Sequence, residues 1–309
     1  MSNFRYSTVI VSDEVTSAID EGRGVVALET TIVVHGLPTP TNLEVAAECE
    51  RAVRDGGAVP ATIAVLEGHV VVGLSSEQLS TLADPAQHAV KLSARDLGFA
   101  LARGADGATT VAGTITIARR VGIDVMATGG LGGVHRDANE SYDESADLTA
   151  LSRNQVLVVA SGVKSILDIG ATLERLDTLG VAVAGFQTNR FPGFYRSDSG
   201  FALEWSLASE DEAAAAYLSH TELSTTGFLV ANPVGPDQQL PGELHERALS
   251  SALAKAKSRG VSGKEVTPVL LAEFARYTAG ISVQVNRDLV VANAALAGRM
   301  ASAIAKARA

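Results

Sequence analysis

Short apolar runs punctuate the first 190 residues, and each gives way to a stretch whose apolar residues return every three or four positions. Runs of that length bounded by turn residues read as buried strands, and the longer period reads as amphipathic helix. Strands are expected at residues 24–34 (GVVALETTIVV), 123–128, 156–160 (VLVVA), 181–186, 202–207 and 227–236. Residues 61–66 and 70–74 flank Glu67-Gly68-His69 as a hairpin with a glycine turn. Helices are expected at 13–21 behind a Ser12 cap, from a Thr41-Asn42 cap to Arg54, after Ser75 or Ser76, at 165–179 and at 209–219. Residues 187–200, rich in Arg, Pro, Gly and aromatics, read as a lid or rim. Three helices, at 241–259, 267–279 and 283–307, close the chain. The alternation predicts an α/β fold with a largely parallel sheet and a helical C-terminal region. Residues 1–23 form an arm and short helix. With no internal repeat or low-complexity linker, 1–309 reads as one domain.

Composition narrows the function classes. The chain is 46% hydrophobic and 19% charged, which suits a soluble protein with an ample core. A net charge of −10 argues against a nucleic-acid or anionic-membrane partner, but leaves room for a phosphorylated small molecule held by a local cluster of donors. The single cysteine, Cys49, excludes an internal disulfide and suggests a reducing compartment. The N-terminal residues lack a signal-peptide core and no 18-residue apolar run occurs, so a cytoplasmic location is expected.

Lys164 is the residue that draws a chemical reading. The chain has 6 Lys and 19 Arg, and only Lys91 and Lys164 fall in the first 250 positions. Arg is locked as a cation, whereas a lysine that loses water drops its pKa and becomes a free amine able to form a Schiff base. Lys164 follows VLVVASGV, where a strand hands over to a helix, a common place for a ligand crevice. The simpler alternative is a lysine whose stem lies on apolar surface while its head reaches water. Glu29 lies within the apolar run VVALETTIVV, either as a hydrogen-bonded structural carboxylate or as an acid with raised pKa. Lys91 stands just ahead of a helix capped by Ser93, where the helix dipole favours an anion; a bound phosphate or plain solvation both account for it.

The loop Gly130-Leu-Gly132-Gly-Val-His135 fails the dinucleotide fingerprint, having His where the third Gly belongs. It reads as an anion loop with His135 and Arg136 as donors, or as a tight turn with a surface basic pair. In Asp143-Glu144-Ser145-Ala-Asp147 the carboxylates suit a hard cation, but N-capping of a short helix is the simpler account. Asn286 and Asn293 lie seven positions apart, on one face of the last helix.

Long stretches, namely VALETTIVVHGLPTPTN, GAVPATIAVLEG, GATTVAGT, VMATGGLGGVHR, SADL, GVKSILD, ANPVGP and GKEVTP, resemble the pseudouridine-5'-phosphate glycosidase family, which includes the indigoidine-cluster type proteins. The resemblance spans roughly residues 24–305, with matching order and spacing. It implies a three-layer α/β/α core, a homotrimer and a divalent metal, typically Mn²⁺. The implied activity is reversible cleavage of the C–C glycosidic bond of pseudouridine 5'-phosphate to uracil and ribose 5-phosphate. By motif it implies Lys164 as nucleophile, Glu29 as proton donor and Asp143 as metal ligand. Substrate contacts are implied at Lys91, Val111, Ser145, Ala146 and Asp147, with Thr128, His135 and Arg136 near the phosphate, and Asn286 as a looser match. Thr30 and Gly113 stand where Ser is common, and Val163 replaces a smaller residue, changes that bear on the base pocket rather than on the carried-over chemistry. The main rival is the same chemistry run backwards, a C-glycosynthase joining ribose 5-phosphate to an aromatic or heterocyclic acceptor. A phosphosugar aldolase and a non-catalytic phosphosugar-binding module are further rivals.

Overall fold

The computed structural model describes residues 8–260 and 266–309. Residues 1–7 of the arm and 263–265 of the GKEVTP motif lie outside them. The strands are β1 (Val9–Val11), β2 (Val25–Leu28), β3 (Val59–Leu66), β4 (His69–Val72), β5 (Val90–Leu92), β6 (Gly107–Thr109), β7 (Val125–Ala127), β8 (Leu157–Ala160), β9 (Ala182–Phe186), β10 (Ser206–Leu207) and β11 (Phe228–Ala231). The helices are α1 (Asp13–Asp20), α2 (Thr41–Asp55), α3 (Ser76–Leu82), α4 (Leu97–Arg103), α5 (Val111–Val121), α6 (Ala138–Ser141), α7 (Ala146–Arg153), α8 (Ile169–Thr178), α9 (Glu210–Leu223), α10 (Gly242–Arg259), α11 (Val266–Tyr277) and α12 (Ile281–Arg308).

One sheet runs in the order β1-β4-β3-β2-β7-β8-β11-β9-β10, with β6 paired to β3 and β5 paired to β6. Every pairing is parallel except β3 with β4 and β3 with β6. The central strands VVAL, VMA, LVVA and FLVA are buried at every position. Apolar residues without alternation mean that both faces of the sheet are covered. α12, together with α2 and α9, covers one face, and α5 with α7 covers the other, giving the three-layer α/β/α fold. α12 is long and apolar enough to cross a membrane by length and composition. Its contacts with β2, β7 and β8 make it the central helix of the core instead.

The parallel register decides where the chemistry sits. Leu28 pairs with Ala127, and Ala127 with Val159, so the C-terminal ends of β2, β7 and β8 lie side by side. Glu29, Thr128 and Ser161 therefore emerge at one edge of the sheet, where open α/β sheets bind ligands.

Four expectations are corrected. The strand expected at 24–34 stops at Leu28, because the partner strand β7 ends opposite it. Thr30 then pins the chain, its Oγ1 donating to the Ile63 carbonyl at 2.8 Å and accepting from the Thr109 N–H at 2.9 Å. Ile32–Gly36 closes into a wide π turn, with Leu37 N–H donating to Ile32 O. Tertiary hydrogen bonds here override the strand preference of a β-branched run. Second, the helix expected at 165–179 begins at Ile169, capped by Asp168, whose Oδ1 accepts from Ala171 N–H at 2.9 Å. Residues 161–168 are engaged elsewhere, as described below. Third, Thr41-Asn42 does not cap α2; Asn42 Nδ2 donates to the Val33 carbonyl and ties the π turn to that helix. Fourth, the loop at 187–200 is not a loose lid: Phe191, Phe194 and Tyr195 are buried in the core. The strand after it shortens to Ser206–Leu207.

Candidate active site

Glu29 leaves the end of β2 half-buried, its open surface facing a cavity that Lys164, Lys91 and Thr31 also line. Thr128, just past β7, donates its hydroxyl to Glu29 Oε1 at 2.5 Å. Burial raises the Glu29 carboxyl above the ordinary carboxylate range. The Lys164 ammonium, the Thr128 hydrogen bond and Lys91 pull it back, while Asp147 pushes it further up. Of the two readings left open by sequence, the acid is the one that a carboxyl raised by burial would serve.

Lys164 reaches the same cavity from a loop rather than from a helix start. The glycine loop and the lysine loop are zipped together along their backbones. Leu131 N–H donates to Gly162 O at 3.0 Å, Lys164 N–H to Leu131 O at 3.1 Å, and Asp168 N–H to Val134 O at 2.9 Å. A third segment locks on when Phe194 N–H donates to Ser161 O at 3.0 Å. Gly162 adopts φ +77° there, and its Cα lies against the Pro192 carbonyl. The nucleophile candidate thus sits on a rigid, three-way backbone junction.

Glu29, Thr31, Lys91 and Lys164 form the shared wall of two chambers. The polar chamber is lined by Ser93, Arg95, Thr110, Val111, His135, Asp143, Ser145, Ala146 and Asp147. Two helix N-termini open into it, those of α5 at Thr110-Val111 and of α7 at Ser145-Ala146, so backbone N–H groups and both dipoles favour an anion. Asp147 lines this chamber, but its carboxylate serves the scaffold: Oδ1 accepts from Ala112 N–H and Oδ2 from Gly132 N–H, both at 2.9 Å. It thereby clamps α5 to the glycine loop.

His135 Nε2 lies 3.8 Å from Asp143 Oδ2 on the chamber wall. Glu144 turns to Arg175 at 2.9 Å. Among the described residues no three His, Cys, Asp or Glu side chains converge as a metal cage. A lone carboxylate such as Asp143 suits a hard ion that keeps most of its waters. Arg136 is placed away from both chambers. Its guanidinium donates to the carbonyls of Ile166 and Ser165, bracing the lysine loop from behind.

The second chamber is more apolar, lined by Ile32, His35, Gly129, Gly130, Phe194, Leu271 and Asn286. Asn286, on α12, is buried, and its Oδ1 has no hydrogen-bond partner among the described residues. Two hydroxyls on the chamber walls are in the same position, Thr31 Oγ1 and Ser93 Oγ. Sequence reasoning passed over Thr31, treated Ser93 only as a cap, and reached Phe194 only through the aromatic-rich stretch 187–200 read as a lid or rim. The signal for Thr31 and Ser93 was their place inside the VALETT and SARD stretches.

The chain as a whole is similar to known proteins in both sequence and structure. The family described as indigoidine synthase A like protein matches residues 14–303. A pseudouridine-5'-phosphate glycosidase of Salinispora tropica is 54% identical over 94% of this chain and 90% of its own. Its counterpart from Saccharopolyspora erythraea is 50% identical over 97% and 99%. Among solved structures, a prealnumycin C-glycosynthase in complex with ribulose 5-phosphate superposes with a TM-score of 0.90 at 37% identity, covering 98% of each chain. An indigoidine synthase A-like protein of Thermotoga maritima gives 0.88 at 35% identity, covering 99% of this chain and 100% of its own. With a match that runs nearly end to end and a lysine, a glutamate and an anion chamber set at the strand ends, the chain belongs to the indigoidine synthase A like protein family.

Proposed function

We propose that the protein reversibly cleaves the C–C glycosidic bond of pseudouridine 5'-phosphate, giving uracil and ribose 5-phosphate. The observation that carries the reading is the junction of the two chambers: Glu29, with a raised carboxyl pKa, and Lys164 share one wall between an anion-favouring and a more apolar space. The phosphate fits the polar chamber, where Lys91, Ser93, His135 and the first turns of α5 and α7 offer donors. The base fits between Phe194, Leu271 and Asn286, whose open Oδ1 matches an N–H of a pyrimidine. The ribose C1' then lies at the shared wall.

A carbon-bound base offers no lone pair to protonate, so direct departure would expel a carbanion. Ring opening avoids this. Glu29 donates its proton to the ribose ring oxygen as the Lys164 amine attacks C1', and the C1'–O4' bond breaks. The lysine nitrogen, now bonded to C1', returns a proton to the Glu29 carboxylate, which passes it to the base carbon; the nitrogen then forms the C1' imine as the C1'–C bond electrons return to the ring, releasing neutral uracil. Water hydrolyses the imine to ribose 5-phosphate and regenerates the amine. Phosphate binding energy orients C1' throughout.

Mn²⁺ belongs to this proposal, with Asp143 as the residue that would hold it. The ion would supply positive charge and ordered waters on the phosphate side. Homotrimeric assembly and a cytoplasmic location are likewise part of the proposal, supported by the family resemblance.

A second reading has its own support: the 37% identical C-glycosynthase, whose structure holds ribulose 5-phosphate, builds the bond that the first reading breaks. Higher identity to the glycosidases favours the first. Incubation with pseudouridine 5'-phosphate and Mn²⁺ should release uracil. Borohydride with ribose 5-phosphate should add the sugar's mass to the peptide carrying Lys164. No uracil release, or label on a different residue, would overturn the reading.

A further inference from the structure

The ANPVGP stretch and the second asparagine of α12 take no part in the chambers, yet they meet directly behind them. Asn293 is wholly buried at the point where β7, β8 and β11 end. Its Nδ2 donates to Thr128 O at 2.8 Å and to Gly129 O at 3.3 Å, and Ser161 Oγ lies 3.1 Å away. Its Oδ1 accepts from Asn232 Nδ2 at 2.9 Å. Asn232 is itself anchored, its N–H donating to Ala160 O at 2.9 Å. The Thr128 and Gly129 carbonyls can only accept, so they fix which way round the amide of Asn293 sits, and Asn232 satisfies its Oδ1.

We infer that Asn293, with Asn232 as the partner of its Oδ1, is a positioning residue that sets the catalytic pair. It holds the Thr128 backbone so that the Thr128 hydroxyl meets Glu29, and it holds Ser161 at the root of the lysine loop. One buried side chain thus touches the supports of both reacting groups. A fully satisfied buried amide at such a convergence fixes a single arrangement, and loosening it leaves polar backbone groups unpaired. The helix spacing gives the link a direction of its own. Asn286 and Asn293 share a face of α12, so the helix that closes the base chamber also sets the acid behind it.

This inference rests on Glu29 acting as the acid in the proposed reaction. Its test therefore includes a readout that needs no turnover. The Glu29 carboxyl is titrated by difference infrared spectroscopy, with Glu29→Gln as the blank. The charged and titratable neighbours of Glu29, namely Lys164, Lys91, Asp147 and His35, are left unchanged. Thr128 lowers the carboxyl pKa, so freeing Thr128 should raise it. Asn293→Leu is expected to move the Glu29 midpoint to higher pH, in the same direction as Thr128→Val. It should also lower kcat on pseudouridine 5'-phosphate by about 10- to 100-fold. The double variant should add little to either single one, because both cut the same link.

Asn232→Ala leaves Asn293 in place and removes the donor to its Oδ1, which loosens its hold on the Thr128 backbone. It is expected to shift the midpoint the same way by less, and it carries the test if Asn293→Leu fails to fold. A role confined to stability would lower Tm and leave the midpoint alone. An unmoved midpoint in the folded variants, or full additivity with Thr128→Val, would overturn the inference. Absence of turnover in the unaltered enzyme would instead count against the functional proposal, and the infrared midpoint would still decide this one.

Discussion

Replacing Gly162 by alanine should cost stability and, beyond that loss, slow catalysis in the fraction that remains folded. The residue has φ +77°, and a Cβ there would sit 2.1 Å from the Pro192 carbonyl oxygen. Ordinary contact begins at 3.4 Å, so the two segments must part by about 1.3 Å. Neither is free to yield, since Gly162 O is bonded to Leu131 N–H and Ser161 O to Phe194 N–H. Left-handed backbone costs alanine about 1–2 kcal/mol, and forcing atoms into a packed site adds about 1–3 kcal/mol. Lys164 is two residues on, and a displacement near 1 Å at a reacting group costs up to about 100-fold in rate. Gly122 supplies the control: its φ is +82°, but nothing lies within 4 Å of its Cβ position. Gly122→Ala should therefore lose about 1–2 kcal/mol of stability and keep its kcat. The assay is kcat and thermal unfolding for both variants, with the rate of borohydride trapping as a direct measure of amine attack. Equal kcat in the two, at matched folded fraction, would refute the claim that the lysine loop is held by steric fit.

Three further outcomes follow from the electrostatics of the site. Glu29→Gln should lower kcat by about 10²- to 10⁴-fold. The same variant should be more stable than the parent, by a margin that grows with pH. A carboxyl whose folded pKa is raised helps stability below the unfolded carboxyl pKa and loses that help as pH rises through the folded value. A Tm difference that stays flat or shrinks between about pH 5 and 9 would contradict the raised pKa. Asp143→Asn should increase the Mn²⁺ concentration needed to restore activity after chelation by at least about 10-fold. Matching metal-response curves would place the ion elsewhere.

The chain's pattern of apolar runs and helical periods was enough to determine the α/β class, the hairpin at β3–β4 and the three closing helices. Apolar period is a local property, and burial of those residues admits few other solutions. The family resemblance of the motif stretches pointed to Lys164, Glu29, Lys91, Val111, Ser145, Ala146 and Asp147, which line the two chambers, where residue type alone left plainer readings open. Only the folded chain decided that Glu29 ends a strand instead of lying within one, since that depends on how far β7 extends beside it. Likewise, Asp147 became a clamp and Arg136 a brace, through backbone partners distant in sequence. Asn293 shows the limit most clearly: an asparagine in a helix has no local mark of importance. Its place at the meeting of three strand ends arises from parallel register and helix docking, which are settled by contacts more than a hundred residues away.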